Sequence, residues 1–400
     1  MALHKYPQSN EANMTDLQAN WNYPTNIRVG AGRIQELPDA CRHLGMRAPL
    51  LITDPGLAAL PMTDAVLARC RDSGLECGLF SEVHGNPTGT DVEKGVAVFR
   101  EGAHDGVIAF GGGSALDAAK AVALMVGQKR PIWDFEDVGD NWTRVNEAGV
   151  VSVVAVPTTA GTGSEVGRAS VIVDEDQQLK KIIFHPRMLP EIVFLDPQLT
   201  VGLPPPLTAA TGMDALSHSL EALCAPYYHP MAAGIAMEGI RLVQQYLPRA
   251  VADGSDIEAR SQMLVAASMG ATAFQKGLGG MHALAHPLGA MYNAHHGLLN
   301  AILMPYVLKQ NQPAIEQRIE QLSRYLNLPG YEFDDFLNWV LQLREQVGIP
   351  HSLAEIDIVA SEAEKIGAMA VQDPSASGNP VQLSDKEYSA LFIRAVQGDL

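Results

Sequence analysis

DGVIAFGGGSALDAAKAVALMV, residues 105–126, passes from an apolar, β-forming run through three glycines straight into an alanine-rich helical stretch. Glycines at such a turn let a backbone pass close to a diphosphate, and the helix that follows offers unpaired N–H groups and the positive end of its dipole. Ser114 and Asp117 also spell a capping box for that helix. The same pattern serves as a plain strand-to-helix turn, so a phosphate reading needs support from the surrounding sequence.

Outward from this stretch the pattern repeats. PLLITD (49–54), VVSVVAVP (150–157) and EIVFLDP (191–197) are short apolar runs that end in Asp or Pro and alternate with helical segments. Such alternation predicts a parallel sheet covered by helices on both faces. After LTVGLPPPLT (199–208) the texture changes to long Ala/Leu/Met-rich segments at 209–224, 231–250 and 257–275, which carry helical periodicity and almost no strand signal. The triple proline Pro204–Pro206 suits a helix start and blocks continuation of the preceding structure. The expected organisation is therefore an α/β domain over residues 1–203 and an all-α domain over 204–400. Two domains also suit the length, since single cores stop growing near ~250–300 residues and this chain has 400.

Composition narrows the function. An apolar share of 47% with 18% charged residues is that of a globular protein. A net charge of −17 argues against nucleic acid or an anionic membrane as partner, because both require a basic face. A small molecule is the expected ligand. Cys41, Cys70, Cys77 and Cys224 form no CxxC pair and read as reduced packing residues. The opening MALHKYPQSNEANMTDLQANW has no leader-like apolar core, and no later segment reaches ~18 uninterrupted apolar residues, so the expected location is the cytoplasm.

Two further features bear on a nucleotide. PTTAGTGSE (157–165) follows an apolar strand and gathers hydroxyls and glycines that can donate to phosphate or ribose, although it can equally be an ordinary turn. Asp54, closing PLLIT, can accept from an adenosine ribose 2′-hydroxyl and would repel a 2′-phosphate, which favours NAD over NADP. Before Pro55-Gly56 it is also an ordinary turn residue.

The second half carries a different chemistry. In ATGMDALSHSLEAL, Asp214 and His218 stand four apart on a helical segment and share a face. In GGMHALAHPLGAMYNAHHG (279–297), His282, His286, His295 and His296 fall within fifteen residues, and Pro287 is expected to end or kink the helix before His296. A carboxylate with several imidazoles suits iron(II) or zinc and is too rich in nitrogen for magnesium or calcium. Spacing leaves open which histidines bind.

Taken together, these motifs resemble the iron-containing (group III) alcohol dehydrogenase family. The resemblance begins at YPTNIRVGAGRI (23–34), runs through GGGSALDAAK, PTTAGTGSEV, LDPQLT and MDALSHSLEA, and ends in GNPVQLSDKEYSALFIRA (378–395). It implies a Rossmann-like N-terminal domain and a helical C-terminal domain, the dehydroquinate synthase-like arrangement, with hydride transfer between a metal-held primary alcohol and NAD in a cleft between them. The matching positions imply Asp214, His218, His282 and His296 as metal ligands, with iron(II) the metal and zinc the alternative. They imply Asp54 at the adenosine ribose, Gly112, Gly113, Ser114 and Asp117 at the diphosphate, and Thr158, Thr159 and Ser164 nearer the nicotinamide. His286 is the implied proton carrier, and His295 is assigned no role. A homodimer is implied as well. Departures from the family pattern at Met281, Leu298-Leu299 and Phe274-Gln275-Lys276 bear on the substrate pocket. Lys276 and Arg168 read either as partners for a substrate carboxylate, as in a 4-hydroxybutyrate-type dehydrogenase, or as solvated surface cations. The nearest rivals are zinc-dependent glycerol dehydrogenases and dehydroquinate synthases.

Overall fold

The structure is a computed structural model that describes residues 25–177 and 179–400. The opening residues 1–24, on which the expectation about a leader was made, lie outside the described residues. The chain divides into two compact units, one taking the chain through Pro157 with Ser164–Phe194 and Tyr228–Pro230, the other taking Thr158–Gly163, Leu195–Tyr227 and Met231–Leu400.

The first unit is built on a six-stranded sheet. Its strands are β1 (Asn26–Val29), β2 (Pro49–Ile52), β3 (Gly78–Phe80), β4 (Gly106–Gly111), β5 (Val153–Pro157) and β8 (Ile192–Leu195), in the order β1-β8-β5-β4-β2-β3. Pairings β2/β3, β2/β4, β4/β5 and β5/β8 are parallel. Every residue of β2, β4, β5 and β8 is buried, as expected when helices cover both faces and the strands read as continuous apolar runs. Those helices are α1 (Leu37–His43), α2 (Pro55–Ala58), α3 (Pro61–Asp72), α4 (Gly89–Glu101) and α5 (Gly113–Met125). An antiparallel pair, β6 (Ala169–Asp174) with β7 (Leu179–Phe184), stands apart from the main sheet.

The strand order matters for function. β2 and β4 are neighbours, with Ile52 opposite Ala109, yet the chain leaves β2 for β3 on one side and β4 for β5 on the other. Ligands of open α/β sheets bind outside the carboxyl ends of strands at such a reversal. Asp54 stands two residues past the end of β2, and Gly111 closes β4 with Gly112 and Gly113 directly after it.

The second unit is helical: α6 (Pro205–Cys224), α7 (Pro230–Ala252), α8 (Ile257–Ala273), α9 (Gly280–Tyr292), α10 (His296–Tyr325), α11 (Phe333–Gln346), α12 (Ala363–Gln372) and α13 (Asp385–Gln397). Together the two units give the Rossmann-like plus all-α architecture expected from the sequence. α6 is its central element, buried almost all round from Thr208 onward. Small residues let its neighbours approach: a Cβ on Gly212 would stand 2.2 Å from Leu247 Cδ1, and one on Gly270 of α8 would stand 3.1 Å from His218 Cβ. Pro287 does not end its helix, which runs on to Tyr292 and stops at Asn293, where φ is +50°. The lost backbone bond, worth about 3 kcal/mol, is outweighed by an apolar helix buried along most of its length. No helix among the described residues is long and apolar enough to cross a membrane.

Candidate active site

At the carboxyl end of β4 the chain turns through Gly111, whose φ of +147° suits glycine and where a Cβ would stand 2.7 Å from that of Ala115. The helix α5 is capped by Gly112 with no side-chain bond, so Ser114 and Asp117 do not form the expected capping box. The glycines allow the helix to begin a residue earlier, which moves Ser114 into its first turn. Ser114 Oγ instead donates to the Gly85 carbonyl at 2.5 Å. Asp117 accepts from Ser164 Oγ and, at 2.9 Å, from the Val171 amide, and pairs with the buried Lys120 ammonium at 3.3 Å. Lys120 Nζ donates in turn to the carbonyls of Ser164, at 3.0 Å, and Ala169. Burial pushes the Lys120 ammonium below its usual range, against the pull of Asp117. Asp117 and Ser164 thus pin α5 to the segment that follows β5. The uncapped first turn of α5, whose N–H groups have no acceptor within the helix, is the part open to an anion.

Asp54 caps α2, its Oδ1 accepting from the Leu57 amide at 2.9 Å, which commits one carboxylate oxygen. Beside it, the buried Thr53 Oγ1 has no hydrogen-bond partner. This orphaned hydroxyl and the uncapped α5 fit a nucleotide. Thr158 and Thr159 lead a segment that packs within the second unit: a Cβ on Gly161 would stand 2.8 Å from the Thr211 carbonyl oxygen, and one on Gly163 would stand 2.2 Å from the Ala271 side-chain Cβ.

The metal-type cluster lies wholly in the second unit. Asp214 and His218 share α6, His282 lies on α9, and His296 is the first residue of α10. One ligand atom from each of these four side chains lies within 4.8 Å of the others. Gly297 makes this possible, because a Cβ there would stand 2.5 Å from the Ala210 carbonyl and 3.0 Å from Asp214 Cβ. The next histidine back, His295, caps α10, its Nδ1 accepting from the Leu298 amide at 3.3 Å. That gives it a structural role which the sequence did not supply.

The electrostatics favour a cation. Burial pushes His218 down to about 4, with Asp214 opposing and His282 adding to the shift, so the imidazole stays neutral and able to donate its lone pair. Its Nδ1 is buried without a hydrogen-bond partner. His282 is held by a residue that sequence reading did not single out: Glu221 Oε2 lies 2.6 Å from His282 Nδ1, so Nε2 faces the cluster. Burial lowers the His282 pKa, but the charge and hydrogen bond of Glu221 outweigh it and leave the group raised. Glu221 also accepts from the amides of Gly279, at 2.7 Å, and Met281, at 2.6 Å. A carboxylate among three imidazoles, with an orphaned buried nitrogen and a carboxylate behind one ring, fits a borderline divalent ion.

His286 stacks on His296 with ring centroids 5.3 Å apart, and its Nδ1 lies 2.8 Å from Asp373 Oδ2. Burial works against charge on Asp373, yet His286 and the Ser375 amide hold it below the usual carboxylate range. Phe274 lies 5.2 Å from the His218 ring. One tail residue and one from α10 complete the support: Asn379 accepts from the Gly280 amide at 3.0 Å and exchanges two 2.8 Å bonds with Asn311 of α10.

The cations read as partners for a substrate carboxylate are otherwise engaged. Lys276 is buried, and its Nζ donates to the Leu223 carbonyl at 2.9 Å at the end of α6, where Arg318 also binds. It is therefore neither a solvated surface cation nor aimed into the cluster. Arg168 lies over the Phe184 ring at 5.6 Å.

Comparison with known proteins gives the family. Residues 24–197 match the model of the iron-containing alcohol dehydrogenases, and residues 208–396 match the C-terminal model of the Fe-containing alcohol dehydrogenase family. The chain belongs to the iron-containing alcohol dehydrogenase family and is an oxidoreductase. It is 37% identical over 384 residues to the 4-hydroxybutyrate dehydrogenase of Cupriavidus necator, covering 94% of this chain and 99% of that protein. To the NAD-dependent methanol dehydrogenase of Bacillus methanolicus it is 33% identical, covering 94% of this chain and 100% of the relative. A crystal structure of 1,3-propanediol oxidoreductase superposes with a TM-score of 0.88 at 33% identity, covering 94% of this chain and 100% of that one.

Proposed function

We propose that this chain is a cytoplasmic, NAD-dependent alcohol dehydrogenase and aldehyde reductase that acts on primary alcohols as a homodimer, with no nucleic-acid or membrane partner. Residues 1–203 hold NAD and residues 204–400 carry the metal and the reacting groups. The observation that carries the reading is the convergence of Asp214, His218, His282 and His296, whose ligand atoms lie within 4.8 Å of one another. When bound, a divalent ion, iron(II), supplies positive charge at the substrate oxygen, and NAD accepts or returns the hydride.

The remaining work falls to named residues. Asp214 is the anionic donor, and with one carboxylate and three imidazole nitrogens around it a divalent ion would keep a net positive charge. Glu221 holds the proton of His282 on Nδ1 and so keeps Nε2 aimed inward. Asp373 orients His286 through Nδ1, leaving Nε2 to carry the alcohol proton toward solvent. Asp54 binds the adenosine ribose and disfavours a 2′-phosphate. Gly112, Gly113 and the first turn of α5 hold the diphosphate, with Ser114, Asp117 and Ser164 fixing the shape of that turn. Thr158 and Thr159 serve the nicotinamide end.

Metal analysis of anaerobically purified protein, with NADH formation followed over a panel of alcohols, tests the reading. Bound iron with NAD-linked oxidation is expected, and a fully active, metal-free Asp214→Ala variant would overturn it. A second reading, oxidation of 4-hydroxybutyrate, draws support from the Cupriavidus necator relative. Against it, Lys276 is spent on the end of α6. Comparing kcat/KM for butanol and 4-hydroxybutyrate separates the two, and a strong preference for the acid would establish the second.

A further inference from the structure

Asn300 lies one turn after His296 in α10 and is completely buried. Its amide Nδ2 stands 2.9 Å from Asp214 Oδ1, 3.2 Å from His282 Nε2 and 3.2 Å from His296 Nε2. A single nitrogen therefore sits where the lone pairs of three of the four candidate ligands converge. Its own Oδ1 is buried with no hydrogen-bond partner. Turning the amide over would set that oxygen against Asp214 Oδ1, acceptor against acceptor, so the carboxylate favours the orientation with nitrogen inward.

The chemistry of the donor separates two situations. An amide NH2 has two hydrogens and cannot serve three acceptors at once. An imidazole Nε2 accepts only when unprotonated, and it has one lone pair, so a bond to Asn300 and a bond to a cation exclude each other. A carboxylate oxygen keeps a second lone pair after one is committed. The Asn300–Asp214 bond can therefore persist beside a cation, while the two histidine contacts yield to it.

Resting on the reading of this cluster as a metal centre, we propose that Asn300 is a positioning residue for metal uptake. It aims the Asp214 carboxylate with one N–H and shares the other between His282 and His296, keeping both Nε2 atoms turned toward the convergence point. It is not itself a ligand.

The test loads wild type, Asn300→Leu and Asn300→Asp with Co(II) and measures the dissociation constant, the rate of release to a chelator and the visible absorption bands. The melting temperature of each metal-free protein serves as the folding control. Leu keeps the shape and removes the donor, so Co(II) affinity should fall about 10–100-fold, the usual effect of losing a residue that orients ligands, with metal-free melting unchanged or raised. Asp keeps the shape but puts a carboxylate at the convergence point, so the Co(II) bands should shift as that group enters coordination. Asn300→Leu with affinity and release within twofold of wild type would overturn the proposal, as would a metal-free destabilisation that accounts for the lost affinity. Should the Leu variant fail to fold, Asn300→Asp with unaltered bands and affinity overturns it alone. A wild-type protein that takes up no Co(II) would instead remove the metal-centre reading itself.

Discussion

Glu221 shows what a single side chain reveals and hides. It stands seven residues after Asp214 and three after His218, so helical spacing alone places it on their face. Nothing in the spacing tells that it serves His282 from behind, because that contact depends on α9 folding back onto α6. Glu221→Gln removes the charge and leaves one acceptor for the amides of Gly279 and Met281 and for the imidazole. Metal affinity is expected to drop about 10–100-fold, as read by competition with a chelator. Asn300 was legible in the same limited way, four residues after His296, whereas Asp373 and Asn379 carried no spacing signal. Lys276 makes a separate prediction. Burial, aided by Arg318 and opposed by Cys224, pushes its ammonium down to about 8, against about 10.4 in an unfolded chain. Between those values the unfolded state holds more protons than the folded one, so stability contributed at this site rises with pH. Chemical denaturation should find Lys276→Met more stable than wild type at neutral pH, with that advantage shrinking as the pH climbs from 8 toward 10. An advantage independent of pH would show that Lys276 is not buried as a charge.

At the level of elements, the apolar runs of the first half and the alanine-rich segments of the second announced themselves, and the strands and helices lie where those patterns put them. The misreadings have local causes. A capping box was expected at Ser114, but glycine let α5 begin at Gly113. Pro287 is expected to end or kink the helix before His296, and the first of these does not happen: burial carries α9 through it to Tyr292. The β6/β7 pair was missed because its strands belong to no βαβ unit. The approach of α10 to α6 rests on Gly297, and Gly297→Ala would force the helices apart, its Cβ meeting the Ala210 carbonyl at 2.5 Å. The expected outcome is loss of metal retention with most helical content kept, measured by metal analysis beside circular dichroism. Retained metal with full activity would show that α10 can shift without cost to the site.

For the whole molecule, the division into two units has a thermodynamic consequence. All four metal-type residues lie in the helical unit, so a bound ion adds its binding energy to the unfolding of that unit. At a free metal concentration one hundred times the dissociation constant, this amounts to about 2.7 kcal/mol. Calorimetry should show chelator lowering the helical unit's transition and NAD raising that of the α/β unit. Equal shifts of a single transition by either ligand would mean that the units unfold as one.

The Asn379–Gly280 bond ties the start of α9, which carries His282, to a residue 99 positions further along the chain. A protein emerging from the ribosome presents Asp214, His218, His282 and His296 well before Asn379 is made. The first turn of α9 gains this second clasp, beside that of Glu221, only after every candidate ligand has been translated. A ribosome stalled short of Asn379 would carry all four candidate ligands while the first turn of α9 is held by Glu221 alone.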